Sequence, residues 1–179
     1  MKKILSLVLA LAVLMCASAF AETVTIGESE THFITTELPE GYTFVPAEYG
    51  DFIGGLYKPA DPAGTVYYTF LIAFSEEYAE VFGRASRLND LTEEQLKKAI
   101  AELTQDFAEP EVKVAETGLG TKVLIVNEQG SESEYATILT IYHGYFIQIY
   151  IDEITGRQLT DEEILTGLDI MTGITLVEK

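Results

Sequence analysis

The chain has 179 residues, 47% of them hydrophobic, with 29 acidic side chains against 11 basic ones and a formal net charge of −18. A surface this acidic repels nucleic-acid backbones and anionic lipid, so neither is an expected partner, and its plainest use is a solvated coat. A single cysteine, Cys16, excludes a disulfide framework.

The N-terminus places Lys2 and Lys3 ahead of an apolar run from Ile4 to Met15, and Ala19-Phe20-Ala21 supplies a small-x-small cleavage site. A Sec-type signal peptide over residues 1–21 is expected, with cleavage after Ala21. The apolar run is short for a bilayer span, so no transmembrane anchor is expected after processing. Lipidation at Cys16 is the less favoured alternative, because Met15 stands where a lipobox needs a small residue. Loss of Lys2 and Lys3 takes the net charge from −18 to −20 and leaves residues 22–179 as one expected domain. A domain of about 150 residues buries roughly 68–70% of its unfolded-chain surface, enough for a core without staples.

Thr23 to Ile26 reads as a short strand and His32 to Leu38 as another. Pro39-Glu40-Gly41 then suits a type I turn with Pro second and Gly fourth, and Tyr42 to Val45 returns as a strand. Asp51 to Lys58 follows, where Gly54-Gly55 marks a bulge or a close backbone approach. No phosphate-loop pattern exists in the chain. Val66 to Phe74 is apolar on both alternating sets, as expected of a strand covered on both faces.

Ser75 to Phe82 allows one or two helical turns. A clear helix begins at Thr92, where Thr92 and Gln95 form a capping box and Leu91 and Leu96 a hydrophobic staple. Its stripe is Leu96, Ile100, Leu103 and Phe107, with Pro110 beyond its end. Val112 to Thr117 reads as an edge strand, Gly118 to Gly120 as a turn, Lys122 to Val126 as a more buried strand and Asn127 to Glu134 as a loop.

The strongest pattern is Tyr135 to Ile151, two strands joined at His143-Gly144. That turn pairs Tyr142 with Tyr145, Thr140 with Ile147, Ile138 with Ile149 and Ala136 with Ile151 on one nearly apolar face. Leu139, Ile141, Phe146 and Tyr150 lie on the other, with Thr137 and Gln148. The hairpin is therefore expected at the centre of the sheet. A second helix starts at Thr160, with Glu163 completing its capping box, Leu159 and Ile164 its staple, and Ile164, Leu168 and Met171 its buried stripe. Gly173 ends it, and Ile174 to Val177 is a closing strand or a packed tail. The fold class is α+β: a mainly antiparallel sheet of about six or seven strands flanked by two main helices.

Three features resemble the PsbP-like fold, shared by the extrinsic PsbP subunit of photosystem II, a family of Ran-binding proteins and DcrB-type exported bacterial proteins. They are the opening Phe33-Ile34-Thr35-Thr36-Glu37-Leu38-Pro39-Glu40-Gly41-Tyr42, the helix from Thr92 to Ala108 followed by a strand and a Gly120 turn, and the closing hairpin with its amphipathic helix. The resemblance covers roughly residues 32–174 and implies an α/β/α sandwich with a binding or assembly role rather than an enzymatic one. It carries over no functional residue.

Residue chemistry points the same way. His32 and His143 would have to meet beside a carboxylate to hold a metal, and no Gly-x-Ser-x-Gly elbow is present, so no catalytic, cofactor or metal residue is assigned. Glu93-Glu94 and Asp161-Glu162-Glu163 sit in first helical turns, where carboxylates favour the helix dipole. A calcium loop at Asp152 to Gly156 is disfavoured by Ile154 and Thr155. Strand tyrosines 67, 68, 135, 142, 145 and 150 read as core caps ahead of a recognition surface. Arg84, Arg87, Lys97 and Lys98 gather four bases within fifteen positions and are the candidate docking residues for an acidic partner. The expectation is an exported bacterial accessory that engages an unidentified protein or small ligand. The alternatives are a secreted hydrolase using a carboxylate pair and a divalent-cation-binding module.

Overall fold

The computed structural model describes residues 22–28, 32–49, 52–73, 80–105, 110–117, 120–128 and 135–179. In chain order these carry β1 (Thr23–Glu28), β2 (His32–Glu37), β3 (Tyr42–Tyr49), β4 (Phe52–Pro59), β5 (Val66–Ala73) and a 3-10 turn at Leu88–Asp90. Next come α1 (Glu93–Leu103), β6 (Pro110–Glu116), β7 (Lys122–Glu128), β8 (Tyr135–Tyr142), β9 (Tyr145–Glu153), α2 (Asp161–Thr172) and β10 (Thr175–Glu178).

The β8–β9 hairpin has the expected register, from Tyr142 opposite Tyr145 to Ala136 opposite Ile151. His143 and Gly144 both take positive φ, 50° and 81°, the backbone that lets a two-residue turn follow the twist of its strands. Around the hairpin a seven-stranded antiparallel sheet runs in the order β3-β4-β5-β9-β8-β7-β6, with β9 as its middle strand. The two faces build two cores. Ile138, Ile147, Ile149 and Ile151 join Tyr57, Tyr68, Phe70 and Ile72 on one side, and Leu139, Ile141 and Phe146 join Leu124 and Val126 on the other.

One helix serves each core, which makes the main body an α/β/α sandwich. At α1 the Thr92 hydroxyl accepts the Gln95 N–H at 3.2 Å while the Gln95 side chain accepts the Thr92 N–H at 2.9 Å. Leu96, Ile100 and Leu103 pack on the second core, and Ala99 is the helix residue sealed completely. The rest of the expected stripe, Phe107, lies outside the described residues, and Pro110 opens β6 instead of merely following the helix. At α2 Thr160 and Glu163 make the same reciprocal cap. Gly167 lets α2 settle onto the hairpin, since a Cβ there would stand 2.8 Å from Ile151 Cδ1 and 2.9 Å from Ile138 Cδ1. Gly173 caps the helix with φ −74°, inside the right-handed region.

The N-terminal strands depart from the expected single sheet. β1, β2 and β10 form a separate antiparallel sheet of three, with β2 in the middle and β10 supplying the closing strand. The physical cause is the inward edge of β2. Ile34 and Thr36 are buried, and the Thr36 hydroxyl donates to the Ile170 carbonyl of α2 at 3.0 Å, so β2 follows α2 and not β3. The turn between β2 and β3 also shifts by one residue, with Tyr42 N–H donating to Pro39 O at 3.2 Å and Gly41 third at φ 79°. A left-handed third residue is what a type II turn demands, so glycine sets the frame ahead of proline.

Gly54 and Gly55 resolve as close backbone approach, because the pairing of β4 with both neighbours runs through them without a break. A Cβ on Gly54 would strike the Phe70 carbonyl, and one on Gly55 the Phe44 ring. The Ser75 to Phe82 turns fall largely outside the described residues, as does most of the loop before β8.

Candidate functional site

The four bases nominated as a docking cluster are all exposed, on two elements. Arg84 and Arg87 lie on the segment before the 3-10 turn, which is fastened to the hairpin tip by Gly144 N–H donating to Ser86 O at 3.1 Å and by a backbone bridge between Arg87 and Tyr142. Lys97 and Lys98 lie on the outer side of α1, where Lys98 stands 4.0 Å from Glu102. Gly83 passes within 3.7 Å of Gln95 measured from an ideal Cβ, which puts the Arg84 loop beside the first turn of α1.

His32 begins β2 in the small sheet, and His143 caps the central hairpin with its ring 4.5 Å from that of Tyr142. Among the described residues no three His, Cys, Asp or Glu side chains come together in a way that could hold a metal. The Asp152 to Gly156 segment carries different chemistry from a calcium loop. Its Glu153 is fully buried, and its carboxylate accepts the Thr155 N–H at 2.9 Å, the Thr155 hydroxyl at 2.7 Å and the Arg157 N–H at 2.9 Å. Burial opposes ionisation, yet the hydroxyls of Thr65 and Thr155 and the backbone donors outweigh it and hold the carboxyl at about 2. Arg157 then grips Glu163 through both terminal nitrogens, and this pairing, with the Thr160 cap, also holds Glu163 at about 2. These two carboxylates are committed to closing the connection from β9 to α2. Sequence reasoning assigned Glu163 to the cap and missed Glu153, which beside Asp152 at a strand end looks no different from an exposed acid.

Among the described residues, a partly exposed apolar surface lies on the α1 side of the main sheet. Val45, Leu56, Thr69, Tyr150, Thr137, Val126 and Val112 are register partners across all seven strands and so form one continuous row. The stripe of α1 covers the β7 and β8 end of this face. Towards β3 and β4 the row emerges: Val45 is 43% exposed and Tyr150 37%, with Leu56, Tyr67 and Leu71 half-buried. Of the nominated tyrosines, Tyr68 is sealed and donates to the Glu163 carbonyl at 2.9 Å, as a core cap should. Tyr67, Tyr135 and Tyr150 instead share the open face, with Asp152 opposite both Tyr67 and Tyr135. The signal that could have found the surface was the emptiness of Gly54 and the smallness of Ala47 and Thr69 beside it.

These features define an α+β protein on a seven-stranded antiparallel sheet, with a half-covered face that mixes aliphatic and phenolic groups. Neither a protein-family model nor a curated protein sequence matches the chain. Among solved structures it is similar to the solution structure of cyanobacterial PsbP (CyanoP) from Synechocystis sp. PCC 6803, at 11% identity and a TM-score of 0.44, over 89% of this chain and 95% of that one. At this level the similarity transfers no ligand, partner or activity. Among the described residues no helix is long and apolar enough to cross a membrane.

Proposed function

We propose that residues 22–179 act outside the cytoplasm as a non-catalytic binding or assembly accessory. The observation that supports this reading is the open half of the main sheet, where Val45, Leu56 and Tyr150 offer contiguous apolar surface on rigidly paired strands. Such surface on a soluble domain is where a partner gains burial without reordering the backbone. Arg84, Arg87, Lys97 and Lys98 would hold an acidic segment of the same partner beyond the rim of α1.

A photoreactive amino acid at Val45 or Tyr150 is expected to trap a discrete adduct in the native cells, while one at Glu162, on exposed α2 surface, traps none. Adduct yield should fall as salt is raised to about 0.5 M if the bases contribute, because the Debye length then drops well below 10 Å. No adduct at either position, or the same adduct from Glu162, removes the support for this surface. N-terminal sequencing checks the export half of the proposal: the product should begin at Glu22, and an intact cytoplasmic chain beginning at Met1 overturns it.

A further inference from the structure

On the opposite face of the main sheet, at the C-terminal end of α2, lies a recess of about 40 Å³. The turn between β6 and β7 contributes Thr117 and Thr121, β8 contributes Thr140 and Tyr142, and Met171 at the end of α2 with Ile174 just beyond it supplies apolar lining. The walls are pinned. Asn89 donates from Nδ2 to Gly120 O at 2.9 Å and accepts the Lys122 N–H at 2.9 Å, and Thr117 N–H donates to Thr121 O at 2.9 Å.

The hydroxyls around the recess divide into two sets. Thr140 donates to the Lys122 carbonyl at 2.8 Å, and Thr172, which also lines the recess, donates to Leu168 O at 3.0 Å and Asp169 O at 2.9 Å. These two have spent their protons on the backbone. Among the described residues the Thr117 hydroxyl accepts from Thr121 N–H at 3.2 Å and donates to none. The Thr121 and Tyr142 hydroxyls make no hydrogen bond to any described residue. Among the described residues, then, three hydroxyls without an acceptor of their own surround this apolar lining.

Among the described residues no charged side chain lines the recess. An ionised group entering it would lose water without gaining a counter-charge, and the carbonyl end of α2 adds partial negative charge that disfavours anions in particular. A water requires about 10–15 Å³ on this measure, so the recess takes roughly three heavy atoms. We propose that it binds the hydroxymethyl end of a neutral sugar or polyol, with C–H groups on Met171 and Ile174 and the hydroxyl among Thr117, Thr121 and Tyr142. The site is on the far face from the open surface above, so either assignment can fail alone.

The test is an amide chemical-shift titration of the processed protein with methyl β-D-glucoside, and in parallel with inorganic phosphate, each to about 100 mM, a range suited to the mM affinities of three-atom contacts. Saturable shifts at Thr121, Thr140, Tyr142 and Thr172 are expected with the glucoside, at least about fivefold weaker with the phosphate. Tyr142→Phe and Thr121→Val should each weaken the glucoside about tenfold while keeping a dispersed spectrum, one lost hydrogen bond costing about 1 kcal/mol or slightly more. If either variant fails to fold, the other carries the comparison. No saturable shift in the unaltered protein, equal response to the charged probe, or unchanged affinity in a folded variant overturns the proposal.

Discussion

Glu153 sits in an environment far from that of its free amino acid. It is an acid without solvent contact whose oxygens accept at least three hydrogen bonds within the 153–157 loop. Its carboxyl and that of Glu163 are both lowered to about 2 in the fold, below the roughly 4.3 of an unfolded glutamate. A depressed folded pKa contributes stability that is fully present above the unfolded value and is lost as pH falls through the folded one. The thermal midpoint should therefore hold above about pH 5 and decline between about pH 4.3 and 2. Glu153→Gln keeps the shape but presents an amide to hydroxyl and N–H donors, so it should lower the midpoint at neutral pH and flatten the acid decline. Melts followed by circular dichroism from pH 2 to 7 measure both; an unchanged acid limb in the variant would mean that the loop does not depend on this charge.

At the scale of elements, the two helices use one device with different surroundings. Both start with threonine, and both answer it with a side chain three residues on. The α2 cap is tied further by Arg157, which holds Glu163, and Glu163 in turn accepts from the Thr160 backbone at 2.7 Å. Removing a cap hydroxyl costs about 1 kcal/mol. Thr92→Ala should stay near that figure, whereas Thr160→Ala loosens a residue shared with the β9–α2 connection and should cost more, to about 2 kcal/mol. Equal losses for the two in urea denaturation would show that the Arg157 link adds nothing to the cap. The edge strands show a complementary economy: β6 starts with Pro110 and carries Lys113 paired to Glu111 at 3.2 Å, and β3 carries Pro46, so each edge is blunted against further pairing.

Across the whole molecule, stability should decline from the middle strand outward. Ile149 is fully buried in β9 between two antiparallel partners, while Val114 on β6 is 51% exposed. Ile149→Ala should therefore cost about 2–5 kcal/mol in chemical denaturation. Val114→Ala should stay within about 0.5 kcal/mol. Comparable losses would place the structural centre elsewhere than the hairpin.

Much of this architecture was legible in the order of residues because its causes are local. A two-residue turn with His143-Gly144 sets the β8–β9 register within seventeen positions, and each capping box closes over three. The stripe of α1 reports its own face for the same reason. Val66 to Phe74, which reads as a strand covered on both faces, instead turns Tyr67, Thr69 and Leu71 to the half-open side, because what covers a strand is not written in its own residues. The open sheet surface and the recess were not legible, since each is made of residues from several strands or elements whose registers must be known before any side chain can be placed.

What the amino-acid order determined by itself was thus the hairpin, the two capped helices and the antiparallel class of the main sheet, all encoded in contacts a few residues apart. Only the tertiary structure decided that β2 would leave β3 to pair with β10, that Glu153 would turn inward, and that α1 would cover one end of its face. The Thr35 hydroxyl meets the Thr175 carbonyl across 140 positions of chain. A contact that distant is chosen by the packing of Ile34 and Thr36 against α2 and the core, whose competing burials are settled jointly across the fold and not within any one segment.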